Sequence, residues 1–419
     1  MRKMATIDLT GTTERMARAR EIALHPEQVE RLGDSEWSVP SQSGFGRYRV
    51  ELLGVAEGRC SCPDFSKRTL PCKHILAAWE LRLRESGQSL ELPTKKPRKQ
   101  YAQHQSYTQG QTEEMRLVDS LLRDLVSGVP DMPRPVGMPG PAPTPFKDDL
   151  YCAVLKVYSG LSARRAHGVH LNVADRGLLT RAPSYAVSSN CLNRPEATAV
   201  LYHLLTQSAL PLAGLEDGGA ISPDSTGVQT TSFGGWREEK HGEKRTKHWL
   251  KVHAIVGTKT HIVIGAVVGD ANSADCPQFA PLVRGALEAG FRPATVPADK
   301  GYLSRDNYQL AEDLGLHALI PFKSNSIPDA GGSPAWKKAF HLFQACRDAF
   351  DASYHVRSNV ESVFSALKRK FGENIRSRTP VAQANEVLAK LICYNLSVVV
   401  HEMFEHGIAP QFVGTVRVA

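Results

Sequence analysis

Residues 354–370 read YHVRSNVESVFSALKRK, and the rest of the chain is most easily interpreted from this stretch. Apolar side chains recur every three or four positions with no Pro or Gly between them, so the pattern predicts one helix. At about 100° per residue, four polar side chains fall within an arc of roughly 60°. They are Tyr354, Arg357, Glu361 and Lys368. Taken alone, such a face is typical of a solvated surface, so its meaning depends on the residues upstream.

The composition of the chain is that of a globular protein. Its 419 residues suffice for two or three domains, and its net charge of +8 suits a polyanionic partner without requiring one. The N-terminal residues lack the apolar segment of a signal peptide. The longest apolar candidate, residues 391–400, contains polar side chains and is shorter than the ~18 residues of a membrane helix. We therefore expect no membrane association.

Three of the eight cysteines lie close together and form a metal-ligand pattern with a histidine. Cys60 and Cys62 are followed, after nine residues, by Cys72 and His74. Three thiolates and one imidazole complete a tetrahedral Zn²⁺ shell with no open position, which defines a structural site. A predicted β-hairpin over residues 36–53 precedes the pattern, and a predicted helix follows it. This arrangement resembles the SWIM zinc finger, a family that implies binding of DNA or protein without indicating which.

From residue 216 onward, predicted strands alternate with helices. Three consecutive strands, then a helix, a strand, a helix and a further strand, predict an α/β fold with a mixed sheet flanked by helices. The sequence GAISPDSTG predicts a strand that ends at Asp224, and FRPATVPADKGY predicts one that ends at Asp299. Ligand and metal sites gather at strand ends of α/β sheets. Glu361, on a nearby helix, is placed to complete a cluster of three acids.

Three converging carboxylates repel one another unless a cation lies among them. Mg²⁺ prefers oxygen ligands, and a pair of such ions activates a water or a 3′-hydroxyl and stabilises the leaving oxygen of a phosphodiester. On the helix face that bears Glu361, Arg357 and Lys368 are suited to phosphates, and Tyr354 is suited to stacking on a base or sugar. An acid flanked by cations therefore predicts a site that handles DNA.

These features together resemble the DDE transposases of bacterial insertion sequences. The resemblance rests on three acids in the right order, on Tyr-x2-Arg-x3-Glu-x6-Lys spacing within residues 354–368, and on the phrases DSTG and DKGY. It covers roughly residues 150–405 and implies a ribonuclease H-like fold. It also implies which side chains hold catalytic Mg²⁺ or Mn²⁺ and which contact transposon-end DNA. The implied metal ligands are Asp224, Asp299 and Glu361, and the implied DNA contacts are Tyr354, Arg357 and Lys368.

The chain divides into five segments by composition, pattern and resemblance. We predict a SWIM-type zinc module at 1–92, a basic and Pro-rich linker at 93–147, a helical DNA-binding region at 148–215, a ribonuclease H-like DDE catalytic domain at 216–405 and a tail at 406–419. In the helical region, Arg164 and Arg165 follow a glycine. This order fits a helix-turn-helix element with arginines on its second helix, and it fits a plain helical hairpin equally well.

We therefore expect a transposase that binds double-stranded DNA at the ends of its element, cleaves strands and joins them to target DNA. Acting on two ends at once implies a homodimer or a larger assembly on DNA, and the bacterial resemblance implies the cytoplasm, at the nucleoid. The alternative is a transposase-derived regulator that binds DNA without cutting it. Such a regulator would have no need of three intact acids.

Overall fold

The computed structural model describes most of the chain in two compact units, Met1–Tyr101 and Ala102–Ala419. The described residues are 12–87 with gaps at 43, 45, 55–56 and 69, and then 104–132, 144–230, 248–329 and 331–412. Parts of the predicted linker (93–103 and 133–143) and the end of the predicted tail (413–419) lie outside the described residues.

The N-terminal unit is a four-stranded antiparallel sheet packed against helices. Its elements are α1 (Thr12–Ala23), β1 (Glu30–Arg31), β2 (Glu36–Pro40), β3 (Arg47–Gly54), β4 (Glu57–Cys60), α2 (Pro63–Arg68) and α3 (Lys73–Glu85). The predicted hairpin is confirmed as β2 and β3, with Trp37 opposite Val50. Both side chains are buried, as is Ile75 of α3, because alternation along the strands turns one face of the sheet toward the helices.

The larger unit begins with helices and continues with strands that alternate with helices. The first part comprises α4 (Gln105–Ser127), α5 (Phe146–Ser159), α6 (Ala163–Asp175), α7 (Val187–Leu192), α8 (Pro195–Ala209) and α9 (Ala213–Glu216). The second part comprises β5 (Ile221–Gln229), β6 (Trp249–Gly257), β7 (Val263–Asp270), α10 (Phe279–Glu288), β8 (Thr295–Pro297), α11 (Arg305–Asp313), β9 (His317–Leu319), α12 (Pro334–Ala345), α13 (Arg347–Tyr354), α14 (Ser358–Phe371) and α15 (Pro380–His406). Buried apolar side chains from both parts form one continuous core.

The strands of the larger unit follow the order β7-β6-β5-β8-β9. β5, β6 and β7 pair antiparallel as a meander, and β8 pairs parallel with β9. The two groups meet where Ala220 bridges Thr295 in parallel, and the hydroxyl of Ser222 donates to the carbonyl of Pro297 at 2.7 Å. A three-stranded meander extended on its first strand by two parallel strands is the ribonuclease H-like arrangement. The predicted fold class is therefore confirmed.

Asp224 lies inside β5 and not at its end, which corrects the sequence prediction. The strand continues for five residues beyond Asp224, to Gln229, in unbroken antiparallel register with β6. Ser225, Thr226 and Gly227 are therefore strand residues, because pairing with a neighbouring strand overrides a weak local propensity. Asp299 lies two residues beyond the end of β8.

The single helix predicted for residues 354–370 is also wrong. Tyr354 ends α13, a 3₁₀ turn covers His355–Arg357, and α14 begins at Ser358. The buried apolar stripe starts only at Val360, whereas Val356 is 37% exposed. The apolar pattern therefore belongs to α14 alone, and a 3₁₀ turn separates α14 from α13.

Helix α4 lies in the range predicted as a linker. Its apolar face, which includes Val118 and Leu122, is buried in the core of the larger unit. The first turns of α4 are polar and show no apolar periodicity, so packing against the rest of the unit determines that they are helical.

Helices α5 and α6 meet at Gly160, whose φ of 63° only glycine adopts freely. Helix-turn-helix and helical hairpin both stay predictions for this pair.

Helix α15 is the long central helix of the larger unit. By length and composition it passes as a membrane span, but 72% of its most apolar 18-residue window is buried inside the protein. Asn395 of this helix is fully buried, and its side chain bonds both the N–H (3.0 Å) and the carbonyl (2.7 Å) of Val263 in β7. These bonds attach the helix to the sheet at one defined register.

Candidate active site and metal centre

A buried cluster of three cysteines and one histidine lies where β4 meets the two short helical segments that follow it. Cys60 ends β4, Cys62 precedes α2, Cys72 precedes α3, and His74 is in the first turn of α3. Their ligand atoms all lie within 4.8 Å of one another, and all four residues are buried. The structure thus brings together the four residues that the sequence predicted.

The geometry of this cluster fits zinc. His74 Nδ1 lies 3.9 Å from the Cys60 sulfur and 3.8 Å from the Cys72 sulfur. Tetrahedral Zn²⁺ with Zn–S and Zn–N bonds of about 2.3 and 2.0 Å places sulfur and nitrogen about 3.6 Å apart. The hydrogen bond from Cys60, followed by that from His74, lowers the pKa of the Cys72 thiol to about 4. Nδ1 is the ring nitrogen that faces the sulfurs of Cys60 and Cys72, so it is the nitrogen suited to bind the ion.

Three neighbouring elements of the larger unit carry the three predicted acids. Asp224 is on β5, Asp299 follows the adjacent strand β8, and Glu361 is in the first turn of α14, which packs against β5. The Asp299 carboxylate accepts the backbone N–H of Lys300 at 2.7 Å and so caps a 3₁₀ turn. The side chain of Glu361 is 61% exposed and that of Asp224 only 17%.

The guanidinium of Arg357 joins two of these acids. Its Nη1 donates to Asp224 Oδ2 at 2.8 Å, and its Nη2 donates to Glu361 Oε1 at 2.5 Å. The guanidinium carbon also lies 6.0 Å from the centre of the Tyr354 ring. A cation therefore occupies the space between two carboxylates, and the 3₁₀ turn before α14 carries it there.

The electrostatics of the site reflect an excess of negative charge. Burial, and after it the charges of Asp299 and Glu361, raise the pKa of Asp224 against the opposing effects of the Ser225 N–H and Arg357. Although burial opposes it, Tyr354 and the three acids raise the pKa of Arg357. Three carboxylates face one guanidinium, which leaves a charge of about −2 and favours a divalent cation. The oxygen donors fit Mg²⁺ or Mn²⁺ in kind.

The three acids do not form a closed metal cage with Arg357 between them. Within the described part of the chain, the Cys/His cluster is the only group of three or more His, Cys, Asp or Glu side chains whose ligand atoms are close enough to hold a metal ion. Lys368 is not brought to the acids either. It lies about 10.5 Å beyond Glu361 along the axis of α14, at 1.5 Å per residue. Of the six predicted residues in this domain, four lie around the fifth, Arg357, and Lys368 stands apart.

A second polar group lies beside the acids. Asp275, between β7 and α10, forms an ion pair with Lys251 (Nζ to Oδ1, 2.9 Å) and lies 3.3 Å from Nδ1 of the fully buried His253. A Cβ added at Gly301 would lie 3.2 Å from Asp275 Oδ2, so the glycine allows the turn after Asp299 to approach this carboxylate. The alternation of His253 with apolar neighbours on β6 was the one signal in the sequence.

Two family models match parts of the chain. Residues 217–396 match the family model of the transposase DDE domain, and residues 48–80 match that of the SWIM zinc finger. The chain therefore contains a transposase DDE domain preceded by a SWIM zinc finger. Among solved structures, it is similar to a cryo-EM structure of the piggyBac transposase synaptic complex with hairpin DNA. The identity is 11% and the TM-score 0.33, over 72% of this chain and 74% of that chain.

Proposed function

We propose that the protein is a DNA transposase that binds the ends of its element and catalyses metal-dependent strand cleavage and strand transfer. The observation that carries the proposal is the convergence of Asp224, Asp299 and Glu361 around Arg357. These residues come from a strand, a strand end and a helix that are distant in the sequence. One guanidinium balances the charge of one acid, and a divalent cation would balance the two like charges that remain.

The three acids are the residues that would hold the catalytic ions, for which we propose Mg²⁺ or Mn²⁺. Bound there, such ions supply an activated water or 3′-hydroxyl and charge stabilisation at the leaving oxygen. Arg357, with two donor nitrogens on one planar group, is suited to grip a phosphate beside the reacting bond. Tyr354 offers its ring to a base or sugar, and Lys368 meets a phosphate farther along the helix.

The test is a strand-cleavage assay on a duplex that carries the inverted repeats flanking the gene. We expect Asp299→Asn and Glu361→Gln to reduce Mg²⁺-dependent cleavage by at least about 10³-fold, since charge stabilisation by the ions is lost with either ligand. Duplex binding should persist in both variants. Asp306→Asn, an exposed aspartate on α11, is the matched control and should cleave like the wild type.

Cleavage by either site variant at the wild-type rate would remove the assignment of these acids. A wild-type protein that binds the ends but never nicks them in Mg²⁺ or Mn²⁺ would instead identify a DNA-binding regulator. The two results are separated by measuring binding and cleavage on the same labelled duplex.

We further propose that the Cys/His cluster holds structural zinc and that residues 1–92 form a separate recognition module. Two ends must be processed together, so the active species is a homodimer or a larger assembly on double-stranded DNA. We place its action in the bacterial cytoplasm, at the nucleoid. Mass measurement of the protein with and without end DNA tests the assembly: a monomer at saturating DNA would contradict it.

A further inference from the structure

A polar cavity of about 370 Å³ lies in the larger unit, away from the three acids. It opens between α5, α7 and the loop that leads into α15. Its polar lining includes Lys156, Asn193, Arg376, Ser377, Arg378 and Thr379. Three of these side chains are cations and three are neutral hydrogen-bonding groups. At ~30 Å³ per water, the space holds roughly ten waters, which is ample for a phosphate group and its first hydration.

The cations of this cavity are short of partners. The ammonium of Lys156 has no hydrogen bond or ion pair to any described residue, and burial followed by the charge of Arg376 lowers the pKa of Lys156 against the effect of Glu386. The guanidinium of Arg378 is exposed to solvent and has no acidic partner among the residues that the structure describes. A half-buried, unpaired ammonium is costly, and an anion bound beside it would offset that cost.

The loop that carries the two arginines is held in place by a buried acid. Glu386, which is 4% exposed, accepts the backbone N–H groups of Arg376 (3.0 Å) and Ser377 (2.8 Å). The Arg376 guanidinium donates to the carbonyl of Gly160, which ties the loop to the end of α5. Thr379 caps the 27-residue helix α15, so the positive end of a long helix also faces the cavity. The site is thus formed before any ligand binds.

The loop that lines the cavity begins beside the end of β5, the strand that carries Asp224. The backbone N–H of Ile375 donates to the carbonyl of Gln229, the last residue of β5, so Arg376 begins where the strand ends. At about 3.4 Å per residue, the five residues from Asp224 to Gln229 span about 17 Å. Residues 362–379, which connect Glu361 to the cavity, carry five Lys or Arg and one acid, Glu373. This segment gives a path between the two sites that is rich in cations, of which Lys370 is paired with Glu114.

We propose that this cavity, centred on Lys156, Arg376 and Arg378, binds a backbone phosphate of the DNA at a distance from the reacting bond. The proposal rests on the proposed function, since that function supplies the anion. DNA carries one charge about every 1.7 Å along its axis, so a duplex that runs from the acids along this path presents phosphates at the cavity. A contact of this kind fixes the register of the duplex and reads no base.

The experiment measures binding of the full-length protein to a duplex over a range of salt concentrations, without added divalent ions. Each phosphate contact contributes about 0.9 to the slope of log K against log salt. Because the cavity holds one phosphate, we expect Lys156→Gln/Arg378→Gln to lower the magnitude of the slope by about 0.9, and Arg378→Gln alone to give most of that decrease. Arg378→Lys should keep most of the wild-type slope. The control is Arg284→Gln/Lys337→Gln, which removes two exposed cations outside the cavity and should leave the slope unchanged.

Arg378 is exposed, so its single substitution tests the proposal even where the double variant does not fold. An unchanged slope in Arg378→Gln, with wild-type cleavage intact, overturns the cavity as a DNA contact and leaves the proposed function standing. If Arg378→Gln lowers the slope but the wild-type protein never cleaves the duplex, the phosphate contact is supported and the proposed function fails. Thermal protection by inorganic phosphate that Arg378→Gln abolishes, together with an unchanged DNA slope, would show a site for free phosphate and overturn the assignment to DNA.

Discussion

Arg357 Nη1 lies 2.8 Å from Asp224 Oδ2, although the two residues are 133 positions apart in the sequence. The contact joins the start of α14 to the middle of β5, and the same guanidinium reaches Glu361. It holds two like-charged groups together in the absence of a metal ion. Because a guanidinium and a divalent ion would compete for the same carboxylates, we expect Arg357 to weaken metal binding as well as to bind phosphate.

Replacing Arg357 by Gln should strengthen the binding of Mn²⁺ to the metal site while it weakens DNA binding. Removing the competing cation leaves three carboxylates for the ion, and we expect an affinity gain of roughly tenfold, or about 1.4 kcal/mol. A titration followed by electron paramagnetic resonance of free Mn²⁺ measures this without DNA. Arg347→Gln, whose partner Asp351 is exposed, is the control. Weaker Mn²⁺ binding in Arg357→Gln would mean that the arginine supports the ion and does not compete with it.

Substitution Cys60→Ser should release zinc and unfold the N-terminal unit, because structural zinc supplies folding energy to so small a module. Metal content by mass spectrometry and the fluorescence of the buried Trp37 report the two events. The exposed Cys346 provides the control: Cys346→Ser should retain zinc and the native spectrum. A Cys60→Ser protein that keeps its fold without zinc would contradict the role assigned to the metal.

Deleting residues 1–92 should change duplex affinity by no more than about threefold, because the module adds little to the electrostatic attraction on which non-specific binding depends. Residues 12–87 carry 12 Lys or Arg and 11 Asp or Glu, so they contribute one net positive charge of the eight. Binding of the full-length and shortened proteins to the same end duplex, at several salt concentrations, gives the answer. A large loss of affinity would make the zinc module a DNA reader and exclude the alternative that it binds protein.

Replacing Asn395 by Ala should lower the free energy of unfolding by about 3 kcal/mol, because it leaves the N–H and the carbonyl of Val263 buried without partners. Urea denaturation measures the change. Asn172, an exposed asparagine on α6, offers the matched control, and Asn172→Ala should cost less than about 0.5 kcal/mol. A cost near zero for Asn395→Ala would show that the contact between α15 and β7 rests on apolar packing alone.

Short-range patterns in the sequence predicted the hairpin of the N-terminal unit, the four zinc ligands and the order of strands and helices from β5 to β9. Each depends on residues close together in the chain, where periodicity and ligand spacing report directly on structure. The predictions were wrong where contacts with residues far away in the sequence determine the secondary structure. Ser225 to Gln229 are strand because β6 pairs with them, and the polar start of α4 is helical within a packed element.

The residue types and their spacing were enough to indicate an α/β domain with three acids and a separate zinc module, because both follow from local chemistry and from order along the chain. Only the tertiary structure decides that Arg357 stands between Asp224 and Glu361, and that Lys156 meets Arg376 and Arg378 around one cavity. Such contacts depend on how a helix ends, how a strand pairs and which side chain a loop turns inward. No single stretch of sequence contains that information, since it arises from elements that meet only in the folded chain.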